Sequence, residues 1–235
     1  MPTLLLVRHG RSTANTSGVL AGRTPGVELD ALGAEQARAL PDRLSGIPLA
    51  AVVRSPMLRC RQTLAPLVEQ RGQAVEIEER INECDYGQWS GRDLAGLGGE
   101  PLMATVQQHP SAAVFPGGES MRGMQQRAVE AVREWNARIE SEHGAEAVYL
   151  MCSHGDVIKS VVADALGMHL DLFQRIAVET CSVTAVRYTP TRPYVVRLGE
   201  TGDLGSLAPP AGESAPEQSD RGGSQGSQAA VGGGR

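Results

Sequence analysis

The feature that most constrains this chain is a segment type that occurs twice. LLLVRHG at 4–10 and VYLMCSHG at 148–155 are short apolar runs that end in a histidine followed by a glycine. Such a run is typical of a strand that is covered on both faces of a parallel sheet. Because ligands bind beyond the carboxyl ends of such strands, we expect His9 and His154, about 145 residues apart, to face one crevice.

Strand and helix patterns alternate along the chain, which predicts an α/β fold: a three-layer α/β/α sandwich with a mostly parallel central sheet. The last two strands are expected to form an antiparallel hairpin at one edge. Further strands are predicted at 50–53, 74–78, 181–189 and 194–200, and helices at 30–44, 55–70, 100–108, 119–142 and 154–166. Ser55 is expected to cap its helix, and Pro41 to bend or interrupt the one before.

The chain of 235 residues divides by composition into two parts. Residues 201–235 hold nine of the 28 glycines and no aromatic residue, so we predict a disordered tail rich in Gly, Ser and Pro. Residues 1–200 are long enough for one well-cored domain. Since His9 and His154 must meet in one crevice, we expect this part to be a single catalytic domain.

Charge and cysteine usage exclude several classes of protein. The 27 acidic residues outnumber 22 scattered basic ones, which argues against nucleic-acid binding. No apolar run reaches the length of a membrane span, the N-terminus shows no secretion signal, and the four cysteines form no CxxC pair. We therefore expect a cytoplasmic protein with buried, free thiols. Lys159, the only lysine, is expected on a solvated face.

The two histidines suggest a shared ligand, and a metal ion is the first candidate. There is no HxH or HExxH spacing, and Arg8 beside His9 would repel a dication, so no metal is expected. Arg8 and Arg59 suit a phosphate dianion instead, because guanidinium forks match its oxygens. Neighbouring cations keep a histidine neutral, so His9 could attack phosphorus while His154 neutralises charge in the transition state.

The leaving oxygen also needs a proton. Glu83 and Asp85, which lie in INECDYGQWSG after the third predicted strand, are both candidates at this point.

These segments resemble the histidine phosphatase superfamily, also called the phosphoglycerate mutase-like proteins. LLLVRHGRSTAN is similar to its signature, and LAGRTPGVELDALGAEQA, SPMLRCRQT, NECDYGQWSG, FPGGES and SHGDVI follow in the family's order over about residues 3–190. The resemblance implies a covalent phosphohistidine at His9 and selects Glu83 as the general acid and base. It also implies substrate or phosphate binding by Arg8, Asn15, Gly22, Arg23, Arg59, His154 and Gly155.

The resemblance leaves three functions to weigh. The short stretch between Gly91 and Glu119 lacks the long insertion expected of glycolytic mutases, which favours a metal-independent phosphatase acting on a small phosphorylated metabolite. However, the chain as a whole is most similar to an actinobacterial branch labelled as phosphomutases, which keeps a phosphomutase as the alternative. A noncatalytic phosphate-binding domain is disfavoured because every catalytic position is filled. No cofactor is expected, and a homodimer is a further option.

Overall fold

The computed structural model describes residues 1–202, which contain a six-stranded sheet. The strands are β1 (Thr3–Arg8), β2 (Val52–Arg54), β3 (Val75–Ile77), β4 (Val148–Ser153), β5 (Val183–Arg187) and β6 (Tyr194–Glu200). Their order across the sheet is β3-β2-β4-β1-β5-β6. The first four are parallel to one another, whereas β5 runs antiparallel to both β1 and β6. The mostly parallel sheet and its antiparallel edge hairpin are therefore confirmed.

Seven α-helices connect or cover the strands in the described part of the chain. They are α1 (Thr13–Thr16), α2 (Ala31–Arg43), α3 (Leu58–Arg71), α4 (Leu94–Leu97), α5 (Pro101–Gln108), α6 (Met121–His143) and α7 (Gly155–Ala165). Short 3₁₀ helices lie at Glu79–Ile81, Gly87–Trp89, Pro110–Ala112 and Leu170–Arg175. None of the helices in residues 1–202 is long and apolar enough to cross a membrane.

The two faces of the sheet bury separate apolar clusters, because side chains alternate along each strand. On one face, Leu5 and Val7 of β1 pack in a cluster with Leu40 of α2 and Leu64 of α3. On the other face, Leu4 and Leu6 join the larger cluster that includes α6, α7 and the segments between β3 and α6. Helices thus cover both faces, and the three-layer sandwich is confirmed.

The two strands that end in His-Gly are neighbours in the sheet. β1 and β4 pair in parallel register from Thr3 opposite Val148 to Arg8 opposite Ser153. The amide of His9 donates a hydrogen bond to the carbonyl of Ser153 (3.0 Å), which continues the ladder by one residue. Parallel pairing without an offset therefore brings His9 and His154 to the same edge of the sheet.

Three local expectations were wrong or incomplete. Met57, not Ser55, is the N-cap of α3, because the Ser55 hydroxyl contacts His154 at 2.7 Å. Pro41 does not interrupt α2, which continues to Arg43. Lys159 is only 6% exposed, not solvated, because α7 is buried along nearly its whole length.

The tail prediction lies almost entirely outside the described residues, which end at Gly202. The four cysteines, by contrast, are all described, and each is buried with a free thiol, as expected.

Candidate active site

His9 follows the last residue of β1 and is held by its own backbone surroundings. Its Nδ1 lies 2.8 Å from the carbonyl oxygen of Gly10. Because a carbonyl only accepts, Nδ1 carries the proton and the lone pair of the neutral ring is at Nε2. Burial, Arg59 and Arg8 together lower the pKa of His9 well below its ordinary value. The side chain is therefore a neutral imidazole whose Nε2 is available as a nucleophile.

Gly10 is needed for packing rather than for close approach to a ligand. A Cβ at this position would lie 2.8 Å from the carbonyl oxygen of Gly33, in the first turn of α2. The glycine after His9 therefore lets α2 approach the end of β1.

His154 is the N-cap of α7, and both of its ring nitrogens have partners. Arg59 Nη2 lies 3.1 Å from Nδ1, and Ser55 Oγ lies 2.7 Å from Nε2. Because a guanidinium only donates, Nδ1 accepts, and the proton of the neutral ring is on Nε2, which donates to Ser55. Burial, followed by Arg59 and His9, lowers the pKa of His154 well below its ordinary value. The two rings lie 5.3 Å apart, centroid to centroid.

Arg59, the second residue of α3, supplies the clearest anion-binding group. It is 1% exposed, and its Nη2 donates to the carbonyl of Gly22 (2.9 Å) as well as to His154. Among the residues that the structure describes, its buried Nε and Nη1 have no hydrogen-bond partner. Unsatisfied buried donors are costly, so this guanidinium is prepared to receive an anion.

Arg8, at the end of β1, adds a second buried guanidinium. It is 3% exposed, and its Nη1 donates to the carbonyl of Val178 (2.7 Å). Burial lowers the pKa of Arg8, and the carboxylates of Glu83 and Asp156 oppose this effect. The positive charge of Arg8 is therefore balanced within the site.

Glu83, and not Asp85, places its carboxylate in this cluster. Glu83 Oε2 lies 3.7 Å from His154 Nδ1 and 3.9 Å from Arg59 Nη2, and Oε1 accepts from the amide of Cys84 (2.9 Å). Asp85 is 41% exposed and caps the amide of Gly87. Burial raises the pKa of Glu83 to about 7, a suitable value for accepting and donating protons at neutral pH.

The cleft beside these groups is narrow, and its walls come from three parts of the chain. Its described lining consists of His9, Ser12, Asn15, Val19, Leu20, Ala21, Gly22, Arg59, Glu83 and Tyr86. Within residues 1–202, no group of three His, Cys, Asp or Glu side chains is arranged to hold a metal ion. The polar groups that line the cleft suit an anion, and they place a possible nucleophile, His9, and a possible proton donor, Glu83, next to it.

The other residues implied by the resemblance divide into two groups. Asn15 lines the cleft, and its Oδ1 accepts from the Ser12 hydroxyl (2.8 Å), which leaves the amide NH₂ as a donor. Gly22 lines the cleft as well, and Gly155 begins α7. Arg23 is not part of the lining. Its Nε donates to the main-chain carbonyl of Glu83 (2.8 Å), so it supports the segment that carries the proton donor.

Sequence analysis missed three residues that the structure places in or behind the site. Ser55 holds the ring of His154, although the Ser-Pro pair suggested a helix cap. Tyr86 lines the cleft and donates to Asp156 Oδ2 at 2.8 Å. Asp156 follows His154-Gly155 directly, so its position next to a predicted functional histidine was the available signal.

The site combines a buried neutral imidazole, two guanidinium groups and a carboxyl group whose pKa is about 7. This arrangement suits phosphoryl transfer without a metal. The chain belongs to the histidine phosphatase superfamily (branch 1), whose sequence pattern matches residues 4–201. Relatives that it matches are named as phosphatases and as phosphoglycerate mutases, so the chain is an enzyme of one of these two classes.

Two relatives and one solved structure illustrate this range. The chain is 27% identical over 210 residues to phosphoserine phosphatase 1 of Hydrogenobacter thermophilus, covering 88% of this chain and 96% of the relative. It is 26% identical over 193 residues to 2,3-bisphosphoglycerate-dependent phosphoglycerate mutase 2 of Gloeobacter violaceus, covering 80% and 86%. The structure of YhfR from Bacillus stearothermophilus superimposes with a TM-score of 0.77 at 26% identity, covering 85% and 98% of the two chains.

Proposed function

We propose that this enzyme is a metal-independent phosphatase that hydrolyses a small phosphomonoester through a phosphohistidine at His9. The observation that carries this proposal is the hydrogen bond from His9 Nδ1 to Gly10, because it directs the lone pair of the ring to Nε2. Arg8 and Arg59 bind the phosphoryl oxygens, with the amide of Asn15 as a further donor. His154 neutralises charge as the transition state forms.

In the first step, Nε2 of His9 attacks phosphorus while the bond to the leaving oxygen breaks. Glu83 gives its proton to that oxygen, and an alcohol departs. The bound dianion favours uptake of a proton from solvent by Nδ1 of His154, and Arg59 Nη2 then donates to a phosphoryl oxygen instead of to Nδ1. Gly22 and the backbone amide of Gly155 complete the substrate contacts in this proposal, whereas Arg23 acts by holding the main chain of Glu83.

In the second step, Glu83 is a carboxylate and takes a proton from water. The resulting hydroxide attacks phosphorus, and the bond between phosphorus and Nε2 breaks. Inorganic phosphate leaves, His9 is neutral again, and Glu83 carries a proton for the next cycle. A pKa of about 7 suits both roles of Glu83 at neutral pH.

The segment between β3 and α6 favours hydrolysis, in which water takes the phosphoryl group, over transfer of this group back to a hydroxyl of the substrate. Between residues 91 and 119 it holds only the short helices α4 and α5 and one 3₁₀ turn. A mutase must exclude water from its phosphoenzyme. The similarity to a phosphoglycerate mutase keeps phosphomutase activity as the alternative outcome of the test.

The test tracks the phosphoryl group from two substrates. Incubation with phosphoserine or 3-phosphoglycerate should release inorganic phosphate continuously, and His9→Ala should abolish the release. Transfer of the group between hydroxyls of phosphoglycerate without phosphate release, monitored by ³¹P NMR, would establish the mutase instead. Binding of both compounds without any turnover would establish a noncatalytic phosphate-binding domain.

We also propose that the enzyme works in the cytoplasm, supported by its four buried free thiols. A homodimer through the edge strand β6 is supported by Tyr194 and Leu198, which are about half exposed there. Light scattering should give twice the mass of the chain, and a Leu198→Lys variant should be monomeric.

A further inference from the structure

A buried pair of side chains, Tyr86 and Asp156, lies beside the candidate site. Tyr86 lines the cleft together with Glu83, and Asp156 follows two residues after His154, whose Nδ1 lies 3.7 Å from Glu83 Oε2. Tyr86 is fully buried, and its hydroxyl donates to Asp156 Oδ2 at 2.8 Å. The ring of Tyr86 packs edge-on against Phe115 (4.9 Å between centroids), which fixes its direction. Asp156 lies in the first turn of α7 and is 1% exposed.

The carboxylate of Asp156 is poorly satisfied for such a buried charge. Its Oδ1 has no hydrogen-bond partner among the residues described, and the nearest cation, Lys159 Nζ, is 4.0 Å away. Lys159 directs its own hydrogen bond to Gln174 Oε1 (3.1 Å). Burying an ionised carboxylate with one hydrogen bond is costly. An asparagine would accept the same bond from Tyr86 at lower cost, so packing alone does not explain the negative charge.

The charges that face Glu83 give this negative charge a role. Arg59 and Arg8 favour the ionised form of the Glu83 carboxyl, whereas the nearby ring of His154 is neutral. Burial is the main cause that raises the pKa of Glu83, and the carboxylate of Asp156 acts in the same direction, against the two guanidinium groups. Arg23 and Arg127 bind the main-chain carbonyl of this residue, not its carboxyl group.

We propose that Asp156, fixed by Tyr86, is a positioning residue whose buried negative charge keeps a proton on Glu83 until the leaving oxygen takes it. This inference rests on the proposed role of Glu83 as the general acid. It predicts an effect that depends on both pH and the leaving group, which a purely structural residue would not produce.

The test compares Asp156→Asn with the wild type on two phosphomonoesters over a range of pH. With an alkyl ester, which needs a proton on its leaving oxygen, the alkaline limb of kcat/KM should move about one pH unit lower, because a neighbouring negative charge is lost. With p-nitrophenyl phosphate, whose leaving group needs no proton, kcat/KM should be unchanged. Equal loss on both esters with an unmoved limb would overturn the proposal.

Two further variants separate this effect from misfolding and from failure of the proposed function. Tyr86→Phe removes the one hydrogen bond of Asp156 and should move the limb in the same direction. Asp164→Asn, the same substitution at an exposed position of α7, should move nothing. If Glu83→Gln slows both esters equally, Glu83 is not the acid, and its role in the proposed function fails. If Glu83→Gln slows only the alkyl ester while the limb is unmoved in Asp156→Asn and Tyr86→Phe, this inference alone fails.

Discussion

The ends of β1 and β4 carry the same sequence pattern, yet their histidines are held in different ways. At the end of β1, only Nδ1 of His9 is engaged, by a backbone carbonyl, and Nε2 is left for chemistry. At the end of β4, both nitrogens of His154 are engaged, one by Arg59 and one by Ser55. Two strand ends with the same sequence pattern therefore hold their histidines differently, and in the proposed mechanism these partners make His9 the nucleophile and His154 the charge-stabilising group.

The difference arises from the path of the chain after each histidine. Beyond His9 the chain packs closely against the start of α2, and the carbonyl of Gly10 lies beside the ring. Beyond His154 a helix begins at once, so the ring is positioned by side chains of Ser55, just after β2, and Arg59 of α3 instead. The ring of His9 is held by the backbone and the ring of His154 by side chains, so we expect the two to respond differently to substitution of their surroundings.

The largest effects should come from removing each imidazole. His9→Ala should lower kcat/KM by at least about 10⁴, because the nucleophile is lost. His154→Ala should lower it by about 10² to 10³, the cost of losing one charge-stabilising group. Steady-state phosphate release measures both, with circular dichroism to confirm folding. Equal losses in the two variants would remove the distinction between the strand ends.

A smaller effect should result from freeing the ring of His154. Ser55→Ala removes the acceptor of its Nε2 proton and should lower kcat about tenfold, the value of one buried hydrogen bond. Ser160→Ala is a matched control, since Ser160 is equally buried on α7 and bonds Val157 and Met124 instead. Full activity in Ser55→Ala would show that Arg59 and the Cys60 thiol, which lies 3.7 Å from Nε2, hold the ring without Ser55.

The smallest effect concerns the neutral state of both rings. Burial lowers the pKa values of both histidines in the native protein. Below pH 6.5 the unfolded chain therefore takes up protons that the native protein does not, and the free energy of unfolding decreases as the pH is lowered. Each histidine should account for about 0.7 kcal/mol of the loss in unfolding free energy between pH 7 and pH 6. Denaturant unfolding of His9→Gln and His154→Gln should each show the smaller loss. A wild-type slope in both variants would mean that the rings are charged in the native protein.

The two strand ends beside which the candidate site lies could be predicted from the sequence. Apolar runs that stop at His9 and His154 predict β1 and β4. Parallel pairing of these strands without an offset brings the two histidines to the same edge of the sheet. The same reasoning failed at Ser55 and Lys159. A Ser-Pro pair has the local pattern of a cap, and only the tertiary position of His154 redirects the hydroxyl. Lys159 is buried because α7 has apolar neighbours on nearly all sides, which its own spacing does not reveal.

The most direct test of the account is the position of the covalent phosphate. Rapid mixing with a phosphomonoester, alkaline quenching and mass spectrometry should locate an acid-labile phosphoryl group on His9, and ³¹P NMR should assign it to Nε2. The label should persist in His154→Ala and vanish in His9→Ala. A phosphoryl group on His154, or on Nδ1 of His9, would contradict the assignment of roles to the two strand ends.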